Sequence, residues 1–278
     1  MTAAARGRVG DDIARTGVAA VLIVAAIFLL VPLLVTILMA FDSRSYLGPL
    51  PPPGFSLRWF VACFSRQTLA VGLRTSLALG ILATAISTSA GTAAAIALER
   101  GTFPGRTILS ALFLSPLIVP PVVIGFALLL ALSQAGILNG FVRLLCGHVV
   151  ITLPYTIRAV SASLAGRDAS LTEAALGLGA SERQALWTIT VPLARTGIMI
   201  GAIFAFAVSF DDVSVASFLT DPTTYTLPVA LLSAMRANFD LTIAAAAVLL
   251  MVATVILIFI LDRAVGFDRL VGQGMFRT

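Results

Sequence analysis

The sequence is poor in several residue types that common protein classes need. Its 278 residues contain no lysine, one histidine and two cysteines, and only 11% are charged. An ordinary soluble domain carries about 25% charged residues, so the composition excludes a cytosolic enzyme and intrinsic disorder. Two cysteines exclude a disulfide scaffold, and with a single histidine they are too few for a zinc or iron–sulfur site. We therefore predict no metal and no cofactor in this chain, and no catalytic residues.

Apolar residues, by contrast, make up 59% of the chain. They are concentrated in six stretches of about 20 residues, the length at which an α-helix crosses a bilayer. We predict an all-α integral membrane protein. Its six transmembrane helices are expected at Val18–Ala40, Ser76–Leu98, Thr107–Leu132, Val149–Ala165, Gly197–Thr220 and Leu241–Leu261.

All 18 basic residues are arginine, and they are scattered between the apolar stretches. This distribution indicates membrane orientation and not nucleic-acid binding, which would need a basic cluster on one face. If the N-terminus is cytoplasmic, the inner segments hold eleven arginines and the outer segments six. We expect both termini in the cytoplasm, with an N-terminal segment over 1–17, a transmembrane domain over 18–265 and a C-terminal tail over 266–278.

Two local features refine this topology. Pro116, Pro120 and Pro121 remove backbone donors inside the third span, so that helix is expected to kink or break. In the first outer segment, Phe55–Phe64 is predicted to form a short interfacial helix, with Trp59 at the level of an aromatic belt.

The segment over 166–196, between the fourth and fifth spans, has the composition of neither a span nor a flexible linker. Ser170 to Glu173 and Ser181 to Gln184 each match a capping box, the signature of a helix start. Gly177 and Gly179 lie between them, where a helix must end. We predict two short helices joined at a glycine elbow on the cytoplasmic face. A connector without a binding partner is the alternative.

The residues of this segment resemble the EAA loop of binding-protein-dependent ABC importer permeases. The family pattern is Glu-Ala-Ala, three residues, Gly, nine residues, and Ile-x-Leu-Pro. This sequence has Val191 in place of the leucine, and otherwise matches at Glu173, Ala174, Ala175, Gly179, Ile189 and Pro192. The resemblance implies that these residues and Gly177 couple the chain to an ATPase.

Other segments resemble the spermidine/putrescine branch of these permeases. They are Ser56–Phe60, Leu153–Arg158, Ser209–Val213, Phe218–Thr220 and Thr226–Pro228. The resemblance implies a polyamine as the transported solute. Related branches carry amino-acid derivatives, opines, phosphonates, thiamine or iron, and these remain alternatives.

The resemblance also implies a fold and a set of partners. The fold would be that of type I ABC importer permeases in the bacterial inner membrane. The partners would be a second permease, expected to be a paralogue, two copies of a cytoplasmic ATPase that binds ATP and Mg²⁺, and a periplasmic solute-binding protein. The chain has no Walker A sequence of its own. A secondary transporter working alone is the other alternative, but it would be expected to have inverted repeats and no coupling loop.

Four residues are candidates for the translocation path: Asp211, Asp212, Phe210 and Arg158. The two aspartates are the carboxylates that lie well inside a predicted span, and such residues face a polar cavity or a partner. They are expected either to attract a cationic solute or to pair with Arg158 from the fourth span. His148 is expected at the outer rim of the fourth span as a polar interfacial residue.

Overall fold

The computed structural model describes residues 3–165, 170–237 and 240–265, and the regular secondary structure in these ranges is helical apart from one isolated β-bridge between Asp42 and Phe55. The helices are α1 (Ala3–Ala40), α2 (Arg58–Ser65), α3 (Gln67–Arg100), α4 (Arg106–Leu114), α5 (Pro121–Gln134), α6 (Gly140–Ala165), α7 (Ser170–Gly177), α8 (Glu182–Ala185), α9 (Val191–Asp211), α10 (Ala216–Leu219), α11 (Leu227–Ala237) and α12 (Thr242–Val265).

Within the described ranges, four helical stretches are long and apolar enough to cross a membrane. They are Arg15–Ala40, Gln67–Arg100, Gly140–Ala165 and Glu182–Asp211, and they overlap four of the predicted spans. A fifth follows if α4 and α5 count as one bent span. Helix α12 lies where the sixth span is predicted, but its apolar part over Thr242–Ile256 is shorter. The all-α membrane architecture is thus confirmed, while the count of six stays a prediction.

The third predicted span is broken, as its prolines predict. Arg106–Leu117 and Pro121–Gln134 meet at an angle of 108°. A short 3₁₀ turn, Ser115–Leu117, ends the first half, and Pro120 adopts an extended conformation with φ −54° and ψ 132°. Proline supplies no backbone N–H and disfavours the helical conformation in the residue before it, so consecutive prolines end one helix and start the next.

The chain divides into two compact units, Met1–Ser65 with Met235–Met251 and Arg66–Ala234 with Val252–Thr278. In the first unit Trp59 is buried against Ala40 and Leu241, and its indole N–H donates to the Asp42 carbonyl oxygen at 2.8 Å. The interfacial helix begins at Arg58 and not at Phe55. Trp59 is therefore a packing residue in this unit, because its one polar atom finds an acceptor inside the protein.

In the second unit α3, α6 and α9 pack closely through glycines. A Cβ added at Gly91 of α3 would lie 2.8 Å from the Thr156 Cβ, and one added at Gly201 of α9 would lie 2.9 Å from the Thr156 Cα. Helices α6 and α9 run antiparallel, because Gly197 lies against Ser163, Phe204 stacks on Tyr155 with ring centroids 6.3 Å apart, and Ser209 is hydrogen-bonded to His148. Small residues at these crossings let the backbones approach closely, as helix pairs in membranes require.

Candidate functional site

The segment with the EAA pattern folds as two short helices joined by a glycine elbow. Its first residues, 166–169, lie outside the described ranges. Helix α7 ends in a Schellman motif, in which the Ala180 N–H donates to the Ala175 carbonyl and the Gly179 N–H to the Leu176 carbonyl, both at 3.0 Å. Gly179 has φ +93°, the left-handed conformation that this motif requires at its position. The glycine elbow predicted from the sequence is confirmed.

The second helix of the segment begins at a complete capping box. The Ser181 Oγ accepts a hydrogen bond from the Gln184 N–H at 3.3 Å, and the Ser181 N–H donates to the Gln184 Oε1 at 2.8 Å. These reciprocal bonds satisfy two backbone donors that a helix start otherwise leaves unpaired. The predicted box at this position is confirmed.

Apolar side chains on this loop are exposed in the isolated chain. Leu178 is 89% exposed at the elbow, Trp187 is 62% exposed, and Leu171 is 51% exposed. Glu173 and Ala174 are exposed as well. Exposed apolar side chains on α7, at the elbow and on the turn after α8 are typical of a surface that docks against another protein.

A π-helical turn joins this loop to the following span. It covers Leu186–Thr190 and therefore contains Ile189 of the EAA pattern, while Pro192 stands in the first turn of α9. The Thr188 hydroxyl donates to the Gln184 carbonyl at 2.6 Å across this turn. No sequence signal that we used predicts the turn. Helix α8, the π turn and α9 form one helical stretch over Glu182–Asp211, so the loop is connected to the membrane span without a flexible joint.

The fifth predicted span is wrong at its outer end, because α9 stops at Asp211. Asp212 leaves the helical conformation with ψ 127°, and its carboxylate accepts from the Ala216 N–H at 2.8 Å and the Val215 N–H at 3.4 Å. Asp212 thus caps the turn that leads into α10 and is not a carboxylate in mid-helix. Aspartate before a short apolar run is an N-cap signal, which the length of the apolar stretch concealed.

Asp211 and Phe210 have opposite environments. Asp211 is exposed, and within the described part of the chain its carboxylate has no hydrogen bond and no ion pair. Phe210 is only 4% exposed and stacks on Phe206, with ring centroids 5.5 Å apart. Of these two neighbours, Asp211 is the one that can meet a solute.

Arg158 lies far from both aspartates, so the predicted pairing between them is wrong. Its neighbour Ala159 packs against Gly197 on α9, and Asp211 follows Gly197 by 14 residues, which is about 21 Å along the helix. Arg158 instead lines a pocket near the other end of α6, together with Glu99 and Arg106.

His148 is inside α6 and not at the rim of a span. Helix α6 begins at Gly140, nine residues before the predicted start, so His148 is fully buried and its Nδ1 lies 2.8 Å from the Ser209 Oγ. One turn further along α6, the Thr152 Oγ1 lies 2.7 Å from the Ser87 Oγ. These polar pairs connect α6 to α9 and to α3, and no motif or periodicity in the sequence indicates them.

Comparison with known proteins agrees with this architecture. Residues 87–268 match the family described as the inner membrane component of binding-protein-dependent transport systems. The spermidine/putrescine transport system permease protein PotC of Shigella flexneri is 29% identical over 247 residues, which cover 89% of this chain and 92% of that protein. The putrescine transport system permease protein PotI of Escherichia coli is 30% identical, with 86% of this chain and 87% of that protein covered.

Solved structures show the same fold at lower identity. A chain of a bacterial alginate ABC transporter, in complex with an alginate-bound periplasmic protein, superposes with a TM-score of 0.73 at 16% identity and covers 93% of this chain and 95% of that one. A second structure of an alginate importer gives a TM-score of 0.68 at 17% identity, with 96% and 98% covered. The fold is that of type I ABC importer permeases, and the chain belongs to the family of inner-membrane components of binding-protein-dependent transport systems.

Proposed function

We propose that this chain is the permease subunit of an ABC importer for polyamines such as putrescine and spermidine. The family is a transport component without catalytic activity, and the relatives that cover most of the chain are polyamine permeases. ATP and Mg²⁺ bind to the partner ATPase. The permease pairs with a second permease, for which we propose a paralogue, and receives its solute from a periplasmic binding protein.

The main support for the proposal comes from the segment over 166–196 with the EAA pattern, which we call the coupling loop. Because α7 and α8 are short, capped and joined at Gly179, they form a rigid element that presents Leu178 and Trp187 outward. Docking of an ATPase subunit would bury these side chains, and Glu173 would pair with a basic or hydrogen-bonding group of that subunit. Movement of the ATPase then reaches the membrane through the continuous helix Glu182–Asp211.

The translocation path is proposed to pass the outer end of α9. Asp211 supplies the negative charge that attracts an ammonium group, while Asp212 holds the break in the helix and Phe210 packs behind it. Discontinuous helices of this kind form the solute sites of many transporters, because their ends expose backbone groups at membrane depth.

The test is reconstitution of the assembled transporter, with its ATPase and binding protein, in liposomes. We expect uptake of labelled putrescine that unlabelled spermidine inhibits, together with polyamine-stimulated ATP hydrolysis. Glu173→Ala should abolish both, while the variant still inserts and migrates as an intact complex. Uptake of thiamine, iron or a phosphonate without uptake of polyamines would overturn the proposed solute. Purification of an active transporter without any ATPase would overturn the coupling role.

A further inference from the structure

A pocket of about 300 Å³ lies between the ends of α3, α4 and α6, away from the proposed path. Its polar lining consists of Glu99, Arg106, Ser110, Arg158 and Ser161. The two arginines and one glutamate give the pocket a net positive charge. Within the described residues no ion pair joins Glu99 to either arginine, so both guanidinium groups keep their hydrogen-bonding capacity for a ligand.

The helix that starts at this pocket adds further positive potential. Arg106 is the first residue of the nine-residue helix α4, and the preceding Gly105, with φ +86°, offers no side chain to cap it. The N-terminus of a helix carries a partial positive charge that favours an anion. Arg106 and Ser110 are one turn apart on α4, and Arg158 and Ser161 lie one turn apart on α6. Guanidinium and hydroxyl donors therefore line the pocket from two helices, α4 and α6.

The pocket lies toward the ends of α3 and α6, and we therefore place it at the headgroup region of a bilayer. Glu99 is the penultimate residue of α3, and Arg158 precedes the end of α6 at Ala165 by seven residues, about 10 Å. An arginine at this depth reaches the interface with its charged end while its stem stays among apolar atoms.

The pocket also has an apolar wall. Leu98, Leu114 and Ile157 line the pocket, and α4 carries Ile108 and Leu112, which are 76% and 65% exposed. A ligand that fits both parts has an anionic head and a hydrocarbon body. A free anion would leave the apolar wall uncovered.

We propose that this pocket binds the headgroup of an anionic phospholipid, with the phosphate on Arg106 and Arg158. Basic pockets between helices on the cytoplasmic side of a membrane bind such headgroups. Glu99 favours the singly charged phosphodiester of phosphatidylglycerol over doubly charged inorganic phosphate. The assignment to the cytoplasmic leaflet rests on the proposed function, because the coupling loop sets the orientation. In this proposal Arg158 binds a lipid phosphate. It neither pairs with an aspartate nor lines the translocation path, the two roles expected from the sequence.

Lipid binding tests the proposal without ATP or polyamine. The assembled transporter, delipidated in detergent, is titrated with phosphatidylglycerol or phosphatidylcholine, and bound lipid is counted by native mass spectrometry. We expect preferential binding of phosphatidylglycerol. Each of Arg106→Gln and Arg158→Gln should weaken it about fivefold, and the double variant more strongly. Arg74→Gln is the matched control, since it removes the same charge from the opposite end of α3 and should leave binding unchanged.

Two outcomes would overturn the proposal. Equal binding of phosphatidylglycerol by the wild type and the double variant, or equal losses in Arg74→Gln, would show that the pocket does not select the lipid. Displacement of the lipid by millimolar inorganic phosphate, with saturable phosphate binding, would assign the pocket to a free anion instead. Retained lipid preference in a transporter that does not import polyamines would contradict the proposed function alone.

The leaflet is tested separately. In a variant with Cys63 and Cys146 replaced by serine, Ser110→Cys should react with a membrane-impermeant maleimide in inverted vesicles and not in intact spheroplasts. Labelling from the outer side would overturn the cytoplasmic assignment.

Discussion

The coupling loop and the interruption between α9 and α10, which begins after Asp211, both contain a short helix. Different interactions stabilise the two helix breaks. In the loop, Gly179 adopts the left-handed conformation that ends α7, and Ser181 forms the capping box that starts α8. The apolar side chain of Leu178 between these helices remains exposed. At the interruption, the Asp212 carboxylate holds α10, whose Ala216 and Leu219 are fully buried. The loop thus keeps apolar side chains available for the proposed ATPase, whereas the interruption is fixed by the interior of its own unit.

The largest effect is expected at the elbow. Gly179→Asp places a side chain where φ is +93° and adds a charge to the docking surface. Solute-stimulated ATP hydrolysis should fall more than about tenfold, a loss of over ~1.4 kcal/mol in coupling, in reconstituted transporter.

Gly136→Asp is the control for backbone strain. Gly136 also has a positive φ, +74°, and as at Gly179 no atom lies within 4 Å of an added Cβ, but it lies between α5 and α6. Backbone strain in Gly136→Asp should be comparable to that in Gly179→Asp. The Gly136→Asp transporter should nevertheless retain solute-stimulated ATP hydrolysis wherever it folds and assembles correctly. Equal uncoupling in both variants would mean that strain alone, and not the docking surface, explains the effect.

The next effect separates the two aspartates. Asp211→Asn should lower putrescine uptake on the order of tenfold, because it removes a charge-assisted hydrogen bond to the solute. Asp212→Asn should change uptake little, since asparagine caps a helix as well as aspartate does, whereas Asp212→Ala should lower stability by about 1 kcal/mol. Uptake assays and thermal unfolding of the purified complex measure the two effects. A larger uptake defect in Asp212→Asn than in Asp211→Asn would reverse the assignment.

A smaller effect is expected at the capping box. Ser181→Ala removes the side-chain acceptor of the Gln184 N–H and should destabilise α8 by about 1 kcal/mol. Stimulated ATP hydrolysis should decrease severalfold, and Ser181→Asp should restore it. Hydrogen exchange at the first amides of α8 measures the cap directly, and unchanged exchange in Ser181→Ala would contradict its role.

The smallest effect concerns pH near the interruption. The hydroxyl of Thr223, with the backbone N–H groups of Thr223 and Thr224, lowers the pKa of the Asp221 carboxyl. The stabilisation is present above the ordinary aspartate pKa of about 3.9 and is lost as the pH falls through the lowered value. Between pH 5 and 8 the stabilisation from Asp221 is therefore fully present, and thermal stability should show no pH dependence from this residue. Asp221→Asn should lose the dependence below pH 4, and a stability difference that varies with pH near neutrality would contradict this assignment.

The sequence predicted the features that depend on local rules. The helix break at Pro116–Pro121 follows from missing donors, and the Gly179 elbow and the Ser181 box follow from turn and cap chemistry. Features that depend on distant neighbours were missed. The hydrogen-bond partner of His148 is Ser209, 61 residues away on α9. Arg158 lies far from Asp211 because the antiparallel packing of α6 and α9 places it beside the opposite end of α9. Apolar periodicity located the helices but not which residues meet across them.

The π turn over Leu186–Thr190 sets a rotational phase between the coupling helix and the membrane span. Its wider turn holds one residue more than an α-helix would, and each residue of an α-helix corresponds to about 100° of rotation. The exposed face of α8 is therefore shifted by about one residue from the position that a regular α-helix continuing from α9 would give it. Deleting Thr188 should restore regular α-helical winding and leave α8 and α9 in about the same rotational relation, because the wider turn already absorbs the extra residue. The turn thus accommodates an extra residue without a loop, and the segment with the EAA pattern and the membrane span remain on one continuous helix.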